Sequence, residues 1–132
     1  MTTPLKTLKA ACSLELDRRS RPHPAGSINK AYRCLLDTSA GEVAVMFERN
    51  AGVPAHLWLL SRVASTLSLP ADRTKAYPAA ALWTKRNSDG KPLYGRHSNL
   101  RAMPELKDAD LTRITLETLQ ELRDVLSGLG CR

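Results

Sequence analysis

Residues 28–48 have the sequence INKAYRCLLDTSAGEVAVMFE, and this stretch decides the fold class. In its second half, Val43, Val45 and Phe47 alternate with other residues, which is the period of a strand. The first half, residues 28–37, alternates less regularly and fits a short helix almost as well. The turn-forming sequence TSAG between the halves favours two strands. The stretch therefore predicts a β-hairpin.

Two flanking stretches repeat apolar residues at helical spacing. The first extends to about Arg19 and starts well at Thr3 and Pro4, because threonine caps a free amide and proline at the first helical position has no amide to lose. The second covers residues 54–68 and ends before Pro70. The apolar positions are Leu5, Leu8, Cys12 and Leu16 in the first stretch, and Leu57, Leu60, Ala64 and Leu67 in the second.

A third apolar pattern, over residues 111–127, predicts the longest helix of the chain, with Asp108 or Asp110 as its cap. Its apolar face is wider than a narrow core stripe requires, so it is also the predicted surface for a homodimer. The face consists of Leu111, Ile114, Leu119, Leu122, Val125, Leu126 and Leu129.

A second hairpin is predicted between the second and third helices. Residues 80–86 and 91–97 suit short strands, and Gly90 supplies the residue that a tight turn needs. Pro92 lacks an amide donor and therefore places the second strand at an edge of the sheet. The predicted ribbon covers residues 82–97.

These elements give an α+β fold in the order helix–hairpin–helix–hairpin–helix, with an antiparallel sheet and helices packed on one face. At 132 residues the chain is expected to form a single domain, residues 1–132. Hydrophobic residues make up 42% and charged residues 25%, as in globular proteins with a packed core.

The net charge of +7 is unevenly distributed. Residues 1–101 contain sixteen Lys or Arg and seven Asp or Glu, a balance of +9, whereas residues 102–132 contain four and six, a balance of −2. A basic body favours nucleic acid, an acidic protein or an anionic surface as partner. The alternative is that the charge serves solubility alone.

The cysteines and the N-terminal sequence predict a cytoplasmic protein. Cys12, Cys34 and Cys131 are odd in number and widely spaced, which argues against disulfides or a zinc site. Cys12 and Cys34 fall at apolar positions and are predicted to lie in the core, whereas Cys131 is predicted to be a free thiol. No signal-peptide pattern and no apolar run of membrane-spanning length is present.

Residues 73–101 hold seven of the twenty Lys and Arg residues and one acid, Asp89, with aromatic rings between the charges. Cations that reach phosphates, beside rings that stack on bases, are what a nucleic-acid surface needs. The residues predicted to bind nucleic acid are Trp83, Lys85, Arg86, Lys91, Tyr94, Arg96, His97 and Arg101 in or beside the second hairpin, and Arg18, Arg19 and Arg21 at the end of the first helix.

Each cluster also has a purely structural interpretation. Trp83 and Tyr94 are core anchors in that case, and the charges around them form a solvated edge that discourages aggregation. Arginines at the end of the first helix complement the helix dipole equally well.

No cofactor, metal or catalytic motif is present. The chain lacks the phosphate-binding, dinucleotide-binding and nucleophile-elbow patterns of glycines. His23, His56 and His97 are too scattered to predict a metal site, and His56 is expected to cap the helix over residues 54–68.

The function predicted from these patterns is non-enzymatic nucleic-acid binding, to DNA or RNA, with little sequence preference. One alternative is a protein-interaction module, such as an inhibitor, immunity or adaptor protein, that docks on an acidic partner. A second is a small RNA-cleaving nuclease in which His97 transfers protons beside cationic neighbours.

Overall fold

The computed structural model of the chain describes residues 5–28, 30–49 and 53–131. These residues form an α+β fold with four α-helices and six β-strands. The helices are α1 (Leu5–Arg19), α2 (Ser61–Ala64), α3 (Pro104–Lys107) and α4 (Leu119–Gly128); the strands are β1 (Ser20–Pro22), β2 (Ala31–Thr38), β3 (Gly41–Glu48), β4 (Ala55–Leu60), β5 (Thr74–Tyr77) and β6 (Leu111–Leu116).

The strands form one antiparallel sheet in the order β1-β2-β3-β4-β6-β5. β2 and β3 pair from Ala31 opposite Glu48 to Thr38 opposite Gly41, which confirms the hairpin predicted over residues 28–48. Gly41 has a φ of +107°, a conformation that glycine adopts without a Cβ penalty. The register places alternate side chains of the hairpin on opposite faces of the sheet.

One face of the sheet packs against α1 and α4. As the sequence predicts, α1 turns Leu8, Cys12 and Leu16 into this core, whereas Leu5 is 40% exposed; the predicted cap at Thr3 and Pro4 lies outside the described residues. Other buried members of the core are Cys34, Leu36, Val45 and Phe47 from the hairpin, Leu57 and Leu59 from β4, Ile114 and Leu116 from β6, and Leu122, Val125 and Leu126 from α4.

The opposite face is covered by residues 78–110, a segment with little regular structure. It contains α3 and two short 3-10 turns, at residues 79–81 and 98–102. This segment and the strands beneath it enclose a second core, so both faces of the central strands are buried. Its buried members are Ala31, Ala44, Met46, Trp58, Tyr94, Leu100, Met103, Leu106 and Leu111.

The predicted helix over residues 54–68 is wrong. Residues 55–60 form strand β4, and only the four residues of α2 are helical. Because cores cover both faces, β4 is almost uniformly buried and shows no period of two. Leu57, Leu60 and Ala64 are therefore at helical spacing without lying on one helix face.

The predicted helix over residues 111–127 is also wrong, and the longest helix is α1 with 15 residues. Residues 111–116 form β6, and α4 starts only after Thr118. The Thr118 hydroxyl accepts from the amide of Glu121, and the Glu121 carboxylate accepts from the amide of Thr118. This capping box, rather than Asp108 or Asp110, sets the start of the helix.

The second hairpin is reduced to a turn. A single bridge joins Arg86 to Pro92, and no regular strand lies within residues 80–97. The Asn87 side chain accepts from the amides of Asp89 and Lys91, so the turn forms where the sequence predicts it. The flanking residues bend towards the second core instead of extending a ladder.

The apolar face of α4 is used inside the protein. Leu122, Val125 and Leu126 are buried in the first core, and Leu129 is 6% exposed. Packing on the sheet and α1 therefore accounts for the width of the apolar face from which a homodimer surface is predicted. Dimerisation through this helix stays a prediction.

The three cysteines are free thiols, and Cys12 and Cys34 lie in the first core as predicted. Burial raises the pKa of Cys12 to about 11 and that of Cys34 to about 12. Both side chains therefore stay protonated at neutral pH. Among the helices of the described residues, none is long and apolar enough to cross a lipid bilayer.

Candidate nucleic-acid interface

Two side chains of residues 78–110, Tyr94 and Arg96, donate hydrogen bonds to backbone carbonyls of the same segment and of β5. The guanidinium of Arg96 donates to the carbonyl oxygens of Tyr77 at 2.6 Å and of Leu106 and Lys107 at 3.3 Å. The hydroxyl of Tyr94 donates to the Lys107 carbonyl at 2.6 Å. These side chains thus fasten residues 94–107 to one another and to the end of β5 without a strand ladder.

Trp83 is the most unusual residue of this segment. Its φ is +62°, and no other non-glycine residue within the described ranges has a positive φ. The left-handed conformation costs a bulky L-residue about 1–2 kcal/mol. Thr84 helps to fix it, since its amide and hydroxyl both donate to the Ala81 carbonyl, at 3.3 and 2.7 Å.

The strained backbone presents the Trp83 ring at the surface. Trp83 is 43% exposed, and its ring centroid lies 5.5 Å from that of Tyr94, which is buried. The guanidinium carbon of Arg101 lies 5.6 Å from the Trp83 centroid and 5.9 Å from the Tyr94 centroid. The three side chains form a small cation–ring cluster with one solvent-facing ring.

A second cation–ring cluster spans β4, β6 and β5. The Tyr77 ring is 4.7 Å from the Trp58 ring, with the Lys75 ammonium at 5.0 Å and the Arg113 guanidinium at 5.4 Å from its centroid. Between this cluster and residues 82–96 lies a cavity of about 120 Å³, lined by Lys75, Tyr77, Leu82, Lys85, Tyr94 and Arg96, among others.

Three further cations of the segment face solvent. Lys85, Arg86 and Lys91 are exposed, as is Asp89, the single acid among residues 78–101. Arg86 also donates to the Gly90 carbonyl at 3.0 Å across the turn. Residues 78–101 therefore carry positive charge with one opposing acid, whereas Glu105, Asp108 and Asp110 lie in the last part of the segment.

The residues of this segment that are predicted to bind nucleic acid form an exposed set and an anchoring set, with His97 in neither. Trp83, Lys85, Arg86, Lys91 and Arg101 are exposed together on residues 83–101. Tyr94 and Arg96 instead anchor the segment, as the core-anchor interpretation proposes for Tyr94. His97 is half-buried beneath it.

The arginines at the end of α1 do not join this surface. Arg21 lies on β1, at the opposite edge of the sheet from β5, and its guanidinium binds Asp37 at 2.8 Å and also Glu42. Arg19 binds Glu15 at 3.4 Å, whereas Arg18 is exposed. Because Arg19 and Arg21 have acidic partners, this cluster offers less net charge than its sequence indicates.

Beneath the segment lies a group of acid–base side chains that the sequence patterns missed. Glu48 is 5% exposed; one carboxylate oxygen lies 2.7 Å from Nδ1 of His56, and the other accepts from the Trp58 indole at 3.0 Å. Nε2 of His97 lies 3.9 Å from the carboxylate. Burial acts to raise the pKa of Glu48, but the hydrogen bonds from His56 and Trp58 outweigh it, so the pKa is lowered.

His97 is a neutral group in this environment. Burial lowers its pKa, and the charge of Arg33 adds to this, while Glu48 opposes it. Its Nδ1 accepts from the Asn99 amide at 3.2 Å, so Nε2 carries the proton and points towards Glu48.

Sequence reasoning misplaced His56 because it assigned β4 to a helix. The alternation His56, Trp58, Leu60 places these side chains on the second face of the sheet, but the apolar residues between them hide that period. The position of Arg113 beside Trp58 and Tyr77 is not predicted for the same reason, since the apolar spacing of β6 also fits the start of a helix. In the described part of the chain, no group of three or more His, Cys, Asp or Glu side chains is arranged to hold a metal ion.

Comparisons of the chain with protein-family models, with curated proteins and with solved structures find no match.

Proposed function

We propose that the protein binds single-stranded nucleic acid on a surface formed by Trp83, Arg101 and the exposed lysines and arginines around them. Trp83 is the observation that carries the proposal. A tryptophan in the core contributes about 3–5 kcal/mol to stability by its burial. Trp83 is 43% exposed and sits in a costly backbone conformation, so its position is poorly explained by stability.

The exposed ring suits an unpaired base. Base–aromatic stacking contributes about 1–3 kcal/mol per base and tolerates any sequence, since every base has a flat face. Arg101 lies over the same ring, where its charge strengthens the stack and reaches towards a neighbouring phosphate. A paired base inside a duplex does not offer its face to the ring, so single strands are the preferred ligand.

The cations around Trp83 suit a phosphate backbone. Lys75 and Lys85 line the cavity that Tyr94 also borders, and Arg86 and Lys91 add exposed positive charge along the turn. Side chains of this kind contact phosphates without reading base edges. We therefore expect weak sequence preference and a strong dependence on salt.

An acidic protein would attract the same cations, but it would gain less from Trp83. An exposed indole flanked by a guanidinium is a stacking platform, whereas carboxylates require only the charge. The ring therefore favours nucleic acid over the protein-interaction alternative.

The test is a titration of the protein against labelled single-stranded and double-stranded DNA and RNA at about 50 and 200 mM salt. We expect single strands to bind more tightly than duplexes, and affinity for them to fall with log salt at a slope of about −0.7 per phosphate contact. Lys85→Ala is expected to reduce that slope by about 0.7.

Arg62→Ala is the matched control, because Arg62 is an exposed arginine on α2, outside the proposed surface. It should leave both the affinity and the slope unchanged. If no nucleic acid binds at the lower salt concentration, the proposal is wrong and the acidic-protein alternative takes its place.

A further inference from the structure

Glu48, His56 and His97 form a buried acid–base group that the binding of a strand does not require. Glu48 and His56 are 5% and 8% exposed, and the side chain of His97 is 16% exposed. Burying a charged carboxylate is costly, and an apolar pair across β3 and β4 would stabilise the sheet without that cost. Clusters of this kind are concentrated at functional sites.

The carboxylate sets the orientation of His56. When Nδ1 of His56 donates to Glu48 at 2.7 Å, the lone pair of the neutral ring is on Nε2. A carboxylate behind a histidine holds the ring in this tautomer and stabilises the cation that forms when Nε2 takes a proton. His56 therefore has the arrangement of a general base whose partner is already in place.

His97 has a different role in the same group. Because its Nδ1 accepts from the Asn99 amide, the neutral ring presents an N–H at Nε2. A neutral imidazole is a hydrogen-bond donor for a developing negative charge and does not itself release a proton.

Cationic groups surround the cluster. Arg33 is 6% exposed and donates to the carbonyls of Gly26 at 2.9 Å and Asn99 at 3.0 Å. Lys30 is exposed, and its charge, with that of Arg33, acts on His97; Lys9 acts on Glu48 from α1. This positive environment is suited to a phosphodiester rather than to a neutral or cationic substrate.

We propose that Glu48, His56 and His97 form a catalytic centre that cleaves RNA by internal transesterification. The 2′-hydroxyl of the ribose gives its proton to Nε2 of His56 as its oxygen bonds to phosphorus. The bond from phosphorus to the 5′ oxygen breaks, and the 5′ oxygen takes a proton from the His56 imidazolium. The products are a 2′,3′-cyclic phosphate and a 5′-hydroxyl, with no net consumption of water or protons.

The surrounding residues have separate parts in this step. Glu48 is a positioning residue, since it acts through His56, and the Nε2 proton of His97 stabilises the negative charge on the phosphate oxygens. DNA lacks the 2′-hydroxyl and is not cleaved. The inference rests on the proposed function in one respect, namely that the surface around Trp83 binds the strand that is cleaved. It also specifies that this strand is RNA.

The experiment uses a DNA oligonucleotide that contains one ribonucleotide, with an all-DNA oligonucleotide for comparison. We expect wild-type protein to cut only the first, after the ribonucleotide, and to leave a 2′,3′-cyclic phosphate. His56→Gln should lower the rate by about 10²- to 10⁴-fold, the usual contribution of a general base, with RNA affinity and melting temperature retained. Intact RNA with the wild-type protein would overturn the inference.

His23→Gln is the matched control, because His23 is a buried histidine that also pairs with a glutamate, Glu105, outside the cluster. It should cleave at the wild-type rate, and a loss of cleavage in His56→Gln but not in His23→Gln, prepared in the same way, excludes a contaminating nuclease as the source of activity. Equal cleavage by His56→Gln and wild type would show that the group is structural.

Glu48→Gln tests the positioning role with a readout that packing alone does not change. kcat should fall while KM stays unchanged, because the imidazolium that forms on His56 during the step loses its counter-charge. An unchanged kcat would remove Glu48 from the mechanism. Trp83→Gly separates the two proposals: we expect a higher KM at unchanged kcat, whereas an unchanged KM would contradict the binding surface and leave the catalytic centre standing.

Discussion

At the scale of single residues, substitution of Trp83 distinguishes a role in binding from a role in stability. Glycine adopts a φ of +62° without strain, so Trp83→Gly removes the ring and relieves the backbone together. We expect affinity for single strands to fall by about 5- to 150-fold, which corresponds to about 1–3 kcal/mol of stacking. The melting temperature should stay within a few degrees of wild type, whereas a large fall would show that Trp83 is a core anchor.

Arg96 is expected to behave in the opposite way, although it lies in the same basic stretch. Its guanidinium donates to two carbonyls of the segment and to that of Tyr77 on β5, so Arg96→Ala should cost about 1.5–3 kcal/mol of unfolding free energy by chemical denaturation. Lys85→Ala, the exposed control, should change stability by no more than about 0.5 kcal/mol. Equal stability of the two variants would contradict the anchoring role.

His97 makes stability depend on pH in a defined direction. Burial lowers its pKa in the folded state, so the unfolded chain binds the proton first, and stability is lost as pH falls below the ordinary histidine value of about 6.5. Between about pH 6.5 and 5, the melting temperature of wild type should fall more than that of His97→Gln. Parallel curves would show that His97 does not titrate differently on folding. The lowered pKa of Glu48 adds a loss of the same sign at more acidic pH.

The sequence shows which residues are charged or aromatic, but it does not show which of them are exposed and which anchor the fold. Trp83 and Tyr94 are alike in a linear pattern, yet one is 43% exposed and the other 8% exposed. The difference arises from a backbone conformation that no local residue preference for tryptophan predicts. Likewise, the carbonyl partners of Arg96 become visible only when the segment folds over the sheet.

At the scale of elements, the start of α4 depends on its capping box. Thr118→Ala removes the hydroxyl that accepts the Glu121 amide, and it should cost about 0.5–2 kcal/mol of unfolding free energy, measured by thermal or chemical denaturation. Ser127→Ala, an exposed change near the end of the same helix, is the control. No difference between the two would argue that the helix does not begin at this cap.

The two wrong helix predictions have a common cause, which is that each covers a strand followed by a shorter helix. The β2–β3 hairpin was predictable because one half alternates clearly and a turn separates the strands. β4 lies at the centre of a sheet that is covered on both faces, so burial rather than alternation governs it, whereas in β6 Leu111 enters the second core and Ile114 and Leu116 enter the first. Their leucines and isoleucine then coincide with helical spacing, and tertiary contacts override the pattern.

At the scale of the whole molecule, the uncompensated positive charge is concentrated on one part of the surface. The basic corner at Arg19 and Arg21 lies away from β5 and is largely compensated by acids, whereas residues 75–101 keep all their cations except Arg96 exposed. The sheet therefore has one face closed by helices and one face closed by a basic segment with an exposed ring. On this account, the second face is where the protein meets its ligand.

The most direct test of the central claim is the fluorescence of Trp83 during titration with a single-stranded oligonucleotide. The chain has two tryptophans, of which Trp58 is 2% exposed and Trp83 is 43% exposed. Stacking of a base on Trp83 predicts saturable quenching of the exposed emission, which Trp83→Phe removes while the Trp58 signal remains. Binding of the strand with no change in the Trp83 emission would contradict the account.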